Sequence, residues 1–469
     1  MAGANLNTNT KFLSGWGNTS VTNNVVITPD SPEALRSALR QVAPNALEHG
    51  MIPRGLGRSY GDCAQCSGGV VIDLSQQQIL YKQDIQSGQV TVSSGMSIDA
   101  LIRHMLPLGF FVPVTPGTRH ITVGGAIAAD VHGKNHHLDG SFGNYIPSMK
   151  ILTPSGIVTA QPQGETSEIF WATVGGLGLT GVVEQADLSL IPVETQSMVV
   201  STTRTRDLDE LLSVMNETDH NFKYSVAWID CLAKGSNLGR GVLTQANHAL
   251  KPEITSANNH ISLKALYARA SKLISQRQLS INTTPPLNLL NRNLVRVFNE
   301  VWFRKAPSTS TTSIQSISSF FYPLDAIGGW NRLYGKRGFI QYQFVVPYGC
   351  EPELRMILEM LSEAKVSSFL AVLKRFGGSS QGLLSFPMPG WTLAVDIAVG
   401  SPNIAKLLDQ FDEIIVSAKG RVYLAKDSRL DPKMIPKMYP NLDNWRSIRD
   451  RLDPKRLMAS DLSRRLELI

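Results

Sequence analysis

The residues best suited to chemistry lie within or beside two glycine-rich stretches. The longer reads Pro116-Gly-Thr-Arg-His-Ile-Thr-Val-Gly-Gly-Ala-Ile-Ala-Ala-Asp-Val-His-Gly-Lys-Asn-His-His137. With so few large side chains it cannot fill a core, but it lets backbone N–H groups approach a bulky planar or phosphorylated ligand. The shorter, Pro53-Arg-Gly-Leu-Gly-Arg-Ser-Tyr-Gly-Asp62, follows the apolar residues Leu47, Met51 and Ile52. It has the makings of a turn whose amides nest a pyrophosphate, with the guanidiniums of Arg54 and Arg58 inside it. His132 either serves as a group of tunable pKa or packs locally. His136, His137, Asp130 and Asp139 lie near it, but without the spacing of a zinc site.

Three other patterns carry less. Cys63 and Cys66 form a C-x-x-C with no second pair, and the four cysteines (63, 66, 231, 350) are too scattered for a disulfide framework. Gly176-Leu-Gly-Leu-Thr-Gly181 spells a dinucleotide fingerprint, yet the alternating run 182–190 after it reads as a strand and does not open a helix, so the Rossmann reading fails. Gln341 and Gln343 alternate on one strand and share a face, either outward or into a pocket.

The elements positioning these residues read as short strands mixed with helices. Residues 5–24 look polar and irregular, with 12–16 packing an apolar patch onto the body. Ser31-Pro32-Glu33 opens a helix through Leu35, Leu39 and Val42. Strands are expected at 70–74 and 89–92, a helix at 97–106, and a hairpin at 149–159 turning at Pro154-Ser155-Gly156. From Thr195 the character changes. A charged helix over 207–216 and strands at 224–229, 338–347, 369–376 and 391–397, with a helix at 352–364, indicate a separate domain. The run 273–294 reads as a loop whose apolar content suits a lipid tail or a plain surface. Elements at 421–424 and from Asn444 are expected to rejoin the first domain.

Composition sets the bounds. The 469 residues allow roughly three domains, and 42% hydrophobic with 18% charged residues describe an ordinary globular chain. The net charge of +7 lacks the basic runs with interleaved aromatics of a nucleic-acid binder, so no nucleic acid is expected; an anionic substrate near a membrane surface is preferred. The first thirty residues hold one cation, Lys11, and no signal-length apolar run, and no stretch is long enough to span a bilayer. A cytoplasmic protein, or one peripheral at the inner membrane, is expected; the alternative is the periplasmic side of the envelope.

Together the two glycine stretches resemble the vanillyl-alcohol-oxidase-type flavoproteins. His132-Gly-Lys-Asn-His-His137, the run 170–181 and Ala459-Ser-Asp-Leu-Ser-Arg-Arg-Leu-Glu-Leu468 narrow the resemblance to the decaprenylphosphoryl-β-D-ribose 2′-oxidase family, from about Phe12 onward. The fold implied is α+β: a two-subdomain FAD-binding domain (1–195), a substrate-binding domain on an antiparallel sheet (196–418) and a C-terminal segment returning to the first (419–469). The cofactor implied is FAD, held non-covalently because Arg58 stands where a flavin-linking histidine often sits. The resemblance assigns to cofactor binding Pro53, Arg54, Gly55, Leu56, Gly57, Arg58, Ser59, Tyr60, Gly61, Asp62, Cys63, Gly117, Thr118, Thr122, Val123, Gly124, Gly125, Ala129, Asp130, Val131, His132, Gly133, Val183 and Tyr423.

The reaction implied is removal of the C2–H of a polyprenyl-phosphoryl ribose as hydride, with loss of the hydroxyl proton, giving a 2-keto sugar. A separate NADH-dependent reductase would complete epimerisation toward the arabinose donor of cell-wall arabinan, and peripheral membrane contact follows from the lipid. Lys426 and His132 are the catalytic candidates; Lys426 alternatively pairs with Asp427 or Asp431. Tyr60, Trp228, Phe321, Tyr322, Gln341, Gln343, Lys374 and Thr392 are the substrate candidates, the aromatics alternatively being core. Where the family carries Asn and Cys, this chain has Thr392 and Ala394. An aldonolactone or other sugar oxidase, or a non-catalytic polyprenyl-phosphate-binding protein, are the competing readings.

Overall fold

The computed structural model describes residues 8–42, 46–257, 279–281, 283–285, 292–400 and 403–469. Three sheets position the site. The first has four strands in the order β1-β2-β4-β3 (β1 Thr8–Ser14, β2 Val21–Ile27, β3 Met51–Arg54, β4 Val70–Asp73). β4 lies parallel to both neighbours, and its apolar Val70, Val71 and Ile72 are buried, as a central strand covered on both faces requires. Helix α1 (Pro32–Val42) packs Leu35, Ala38 and Val42 into that core, and the Ser31 hydroxyl accepts from the Ala34 N–H at 3.2 Å.

The second sheet is antiparallel, in the order β5-β6-β9-β7-β8 (β5 Leu80–Asp84, β6 Gln89–Ser93, β7 Ser148–Thr153, β8 Gly156–Ala160, β9 Val182–Ser189). The run 176–181 enters β9 directly, as its alternating continuation demands.

The third sheet has eight antiparallel strands in the order β13-β10-β12-β11-β15-β16-β14-β17. They are β10 Ser197–Thr205, β11 Tyr224–Ile229, β12 Gly241–His248, β13 Thr311–Ser316, β14 Phe339–Val346, β15 Ala371–Phe376, β16 Gly390–Ala398 and β17 Arg421–Val422. Helices Glu351–Glu363 and Ile404–Ser417 cover one face; Tyr342 donates to Asp412 there at 2.7 Å. The fold is therefore α+β, with two smaller sheets beside a large antiparallel one.

Several expectations change. Residues 8–27 form a hairpin rather than an irregular arm, and Phe12 is 77% exposed instead of packing inward. Alternation among Asn and Thr residues had concealed the strands. Residues 421–422 do not rejoin the first part of the chain but add an edge strand to the large sheet, where Val422 aligns with Phe344. The return begins immediately after them, where the Tyr423 hydroxyl donates to the Ala129 carbonyl at 2.8 Å and the Tyr60 N–H to the Ala425 carbonyl at 3.1 Å, and continues where Met458 bridges Met51 and the Trp445 indole donates to the Ala172 carbonyl at 3.0 Å. Helices Ile404–Ser417 and Arg292–Lys305 and strand β13 were not anticipated. The loop expected over 273–294 lies for the most part outside the described residues.

Candidate active site

Period two turns one face of the large sheet into a floor. Gln341 and Gln343 of β14, Ala394 of β16, Val372 and Lys374 of β15, Val226 and Trp228 of β11 and Val242 and Thr244 of β12 line one cavity of about 870 Å³. Register explains the pattern: Gln343 sits opposite Ala394, Val372 opposite Ala394, and Trp228 opposite both Val372 and Val242. The intervening residues, Tyr342 and Phe344 among them, point into the helix-covered core.

The two glycine stretches form the roof. Residues 53–60 and 115–118 line the cavity, as do Thr122, Gly124, Gly125, Ala128, Ala129, Val131, His132 and Lys134. The stretches touch, because Gly55 packs so close to Thr122 that an added Cβ would lie 2.2 Å from its hydroxyl. Gly57 adopts φ +62°, a left-handed conformation that favours glycine. Thr122 caps the helix Val123–Ala128, accepting from the Gly125 N–H at 3.1 Å. Arg54 holds the loop from below, donating to the carbonyls of Ala64 (2.9 Å) and Ser14 (2.7 Å).

Four basic groups converge here. Burial lowers Lys374 to about 8 and Lys426 to about 7; Asp396 opposes the second shift and Lys374 adds to it. Burial, then the Lys374 charge, lowers Lys134 to about 7, and burial with the charges of Lys374, His136 and Lys426 holds His132 well below the imidazole range. Gln343 donates from its amide nitrogen to Nε2 of His132 at 2.9 Å, which places the imidazole proton on Nδ1. Lys426 lies 3.8 Å over the Tyr60 ring and does not pair with its acidic neighbours. Asp427 takes Arg465 at 2.9 Å, and Asp431 accepts from the Lys433 N–H. Asp396 accepts from Gln341 at 2.6 Å, and burial raises its carboxyl to about 7.

Most expected residues border the cavity: Pro53, Arg54, Gly55, Leu56, Gly57, Arg58, Ser59, Tyr60, Cys63, Gly117, Thr118, Thr122, Gly124, Gly125, Ala129, Val131, His132, Val183, Tyr423, Lys426, Trp228, Phe321, Gln341, Gln343 and Lys374. Seven do not. Tyr322 turns away to share a hydrogen bond with the Thr115 hydroxyl at 2.8 Å, and Thr392 is buried beneath Gln343, donating to the Phe344 carbonyl at 2.8 Å. Gly61 packs on the Asp427 carbonyl, and Asp62 is forked by Arg465 at 2.8 and 3.0 Å. Val123 faces the core. Gly133 packs on Asn135, and the Asp130 carboxylate accepts from Ser141 and the Gly143 amide.

Lys134 and Asp396 were missed. The first stands two residues after His132, and the second lies opposite Gln341 in the strand register. Same-face spacing was the available signal for Lys134. Of the other histidines, His137 contacts the carbonyls of Asp219 and Phe222, and Nδ1 of His136 accepts from the Gly377 amide.

An extended dinucleotide fits the roof on two observations. A Cβ added at Gly117 meets nothing within 4 Å, so bare backbone faces open space. Nε of Arg58, Oγ of Ser94 and Nδ1 of His132 are buried without a hydrogen-bond partner among the described residues, a costly state that a polar ligand relieves.

Residues 24–161 match the FAD binding domain family, and residues 343–466 match the D-arabinono-1,4-lactone oxidase family. Decaprenylphosphoryl-beta-D-ribose oxidase of Mycolicibacterium smegmatis is 39% identical over 464 residues, covering 98% of each chain. L-gulono-1,4-lactone dehydrogenase of Mycobacterium tuberculosis is 21% identical over 94% of this chain and 95% of its own length. L-gulonolactone oxidase of Bos taurus is 26% identical over 44% of each.

Proposed function

The chain belongs to the decaprenylphosphoryl-β-D-ribose oxidase family, and on that premise we propose that it oxidises the C2 hydroxyl of a polyprenyl-phosphoryl-β-D-ribose to the 2-keto sugar. It is an FAD-dependent oxidoreductase. FAD, when bound, supplies the hydride acceptor. Residues 53–59 and 117–132 would hold it by backbone amides, with Arg58 directed at phosphate.

The chain's own residues account for the rest. Lys426, whose amine is lowered to about 7, is partly neutral at physiological pH and takes the hydroxyl proton. His132, fixed in one tautomer by Gln343, offers Nδ1–H as a donor to the sugar. Lys374 and Lys134, neither of which has a carboxylate partner among the described residues, draw the phosphoryl group into the cavity. Trp228 flanks the sugar, and Gln341, bonded to Asp396, borders the cavity beside it. The keto product leaves for a separate NADH-dependent reductase, completing an epimerisation toward an arabinose donor. No helix among the described residues is long and apolar enough to cross a membrane, and the lipid tail implies peripheral contact with one.

One observation carries this reading: Lys426 and Lys374 share a single cavity with the glycine roof. Anaerobic mixing with synthetic prenyl-phosphoryl ribose is expected to bleach the flavin, while free aldonolactones leave it coloured. Bleaching by a lactone and not by the prenyl-phosphoryl sugar would return the chain to the sugar-lactone oxidases.

A further inference from the structure

Helix Arg292–Lys305 is amphipathic in an unusual sense. Val295 and Asn299 hold it to the body, while the flank beside them sets Val297, Phe298, Val301 and Trp302 at helical spacing with exposures of 60, 42, 60 and 45%, Phe298 also resting edge-on against Phe369. Phe298 and Trp302 stack with their rings 6.1 Å apart, making one broad apolar surface. Contiguous exposed patches of this kind mark interaction sites. The charge on it is predominantly positive: Arg292, Arg296, Arg304 and Lys305 outnumber Glu300, which pairs with Arg304 and Arg240, for a net +3 on fourteen residues.

The helix also ends at the cavity. Trp302, Lys305, Ala306 and Pro307 line the same space as Trp228 and Lys374, so an apolar stripe on the surface runs continuously into the floor of the candidate active site. A soluble small substrate needs no such approach, whereas an alkyl chain tethered in a bilayer does.

We propose that helix Arg292–Lys305 is an interfacial anchor: it lies in the headgroup layer of an anionic bilayer and sets the cavity mouth against the lipid, so that a prenyl phosphate slides in along Trp302. This rests on the reading that the substrate is a polyprenyl phosphate. The apolar face supplies burial in the acyl boundary, and the flanking cations supply attraction to anionic headgroups.

The test uses FAD-loaded protein, vesicles of phosphatidylcholine with or without phosphatidylglycerol, and a short-prenyl, water-soluble phosphoryl ribose. The parent is expected to co-sediment with the anionic vesicles and far less with the neutral ones. Val297→Asp/Val301→Asp should lower partitioning more than about tenfold. Arg292→Gln/Arg296→Gln should lower it about thirtyfold, about fivefold per charge. Both variants keep the flavin spectrum and the bleaching by the short-prenyl substrate. Vesicle binding that is absent in the parent, or equal in parent and variants, overturns the proposal. So does a stripe whose mutation changes only the protein's own sedimenting mass, which marks self-association. Failure of bleaching with vesicle binding intact overturns the substrate reading instead.

Discussion

The amide of Gln343 lies 2.9 Å from Nε2 of His132, across a sequence separation of 211 residues, and joins the floor of the cavity to its roof. The same amide lies 3.2 Å from the Thr392 hydroxyl, so the three side chains form a buried chain. Gln343→Leu keeps the volume and removes the donor. Anaerobic flavin reduction is expected to slow about tenfold, the worth of one good hydrogen bond, with melting little changed. Thr392→Ala, which does not reach the cavity, should have a smaller effect of the same kind. A large loss of substrate affinity in Thr392→Ala would contradict its placement.

Lys426→Ala is expected to keep FAD and lose about 10²- to 10⁴-fold in the rate of flavin reduction. In the parent, kcat/KM should rise with pH through an apparent pKa near 7, because only the neutral amine accepts a proton. Asp396→Asn removes the charge that opposes the lowering, so the same limb should move to lower pH. Unchanged turnover in Lys426→Ala would take the lysine out of the chemistry.

Stability should rise with pH above neutrality; below it the raised Asp396 is opposed by the lowered His132 and His136. Asp396, raised to about 7, binds its proton more tightly folded than unfolded, so its contribution is complete below the ordinary carboxylate pKa and is lost as pH rises through about 7. Lys134 and Lys426 (about 7) and Lys374 (about 8) are lowered; the unfolded chain holds more protons from there to about 10.5, and stability rises with pH across that window. Melting temperature should climb from about pH 7 to about pH 9, and an anionic substrate analogue, which favours the protonated amines, should reduce the deficit at the lower end of that range. A flat profile would mean that these groups are better solvated than their burial implies.

Gly117→Val should fold normally, since the added side chain has open space, yet release FAD on dilution. Absorbance of the purified protein and melting of the FAD-free chain separate the two effects. Retained flavin would show that bare backbone at this point is not part of the cradle.

Ala394→Cys places a thiol on the cavity floor, opposite Gln343. Thiol reagents are expected to inactivate that variant and spare the parent. Cys63 also borders the cavity, but burial pushes its thiol up to about 11, leaving it protonated and unreactive.

Local patterning made much of this molecule legible. Ser31-Pro32-Glu33 announced its helix, the run 182–190 its strand, and the alternation of Gln341 and Gln343 their shared face, because each depends on near neighbours. The glycine stretches were legible for the opposite reason, as places where packing is deliberately absent. The losses were of two kinds. Tyr322 and Thr392 carry the right chemistry but aim elsewhere, and aim is fixed by tertiary partners, Thr115 and Phe344. Helix Arg292–Lys305 was legible in principle, since Leu294, Val297, Phe298, Val301 and Trp302 recur at helical spacing, and was passed over.

One guanidinium ties the first glycine stretch to the lysine segment across the site. Arg465 grips Asp62, just past the first glycine loop, and Asp427, next to Lys426. Met458 meanwhile completes the edge of the sheet that launches that loop. Without that grip the dinucleotide cradle stands, but the lysine segment is no longer tied to it. Arg465→Ala is thus expected to purify with less FAD, a deficit that absorbance of the purified variant would read.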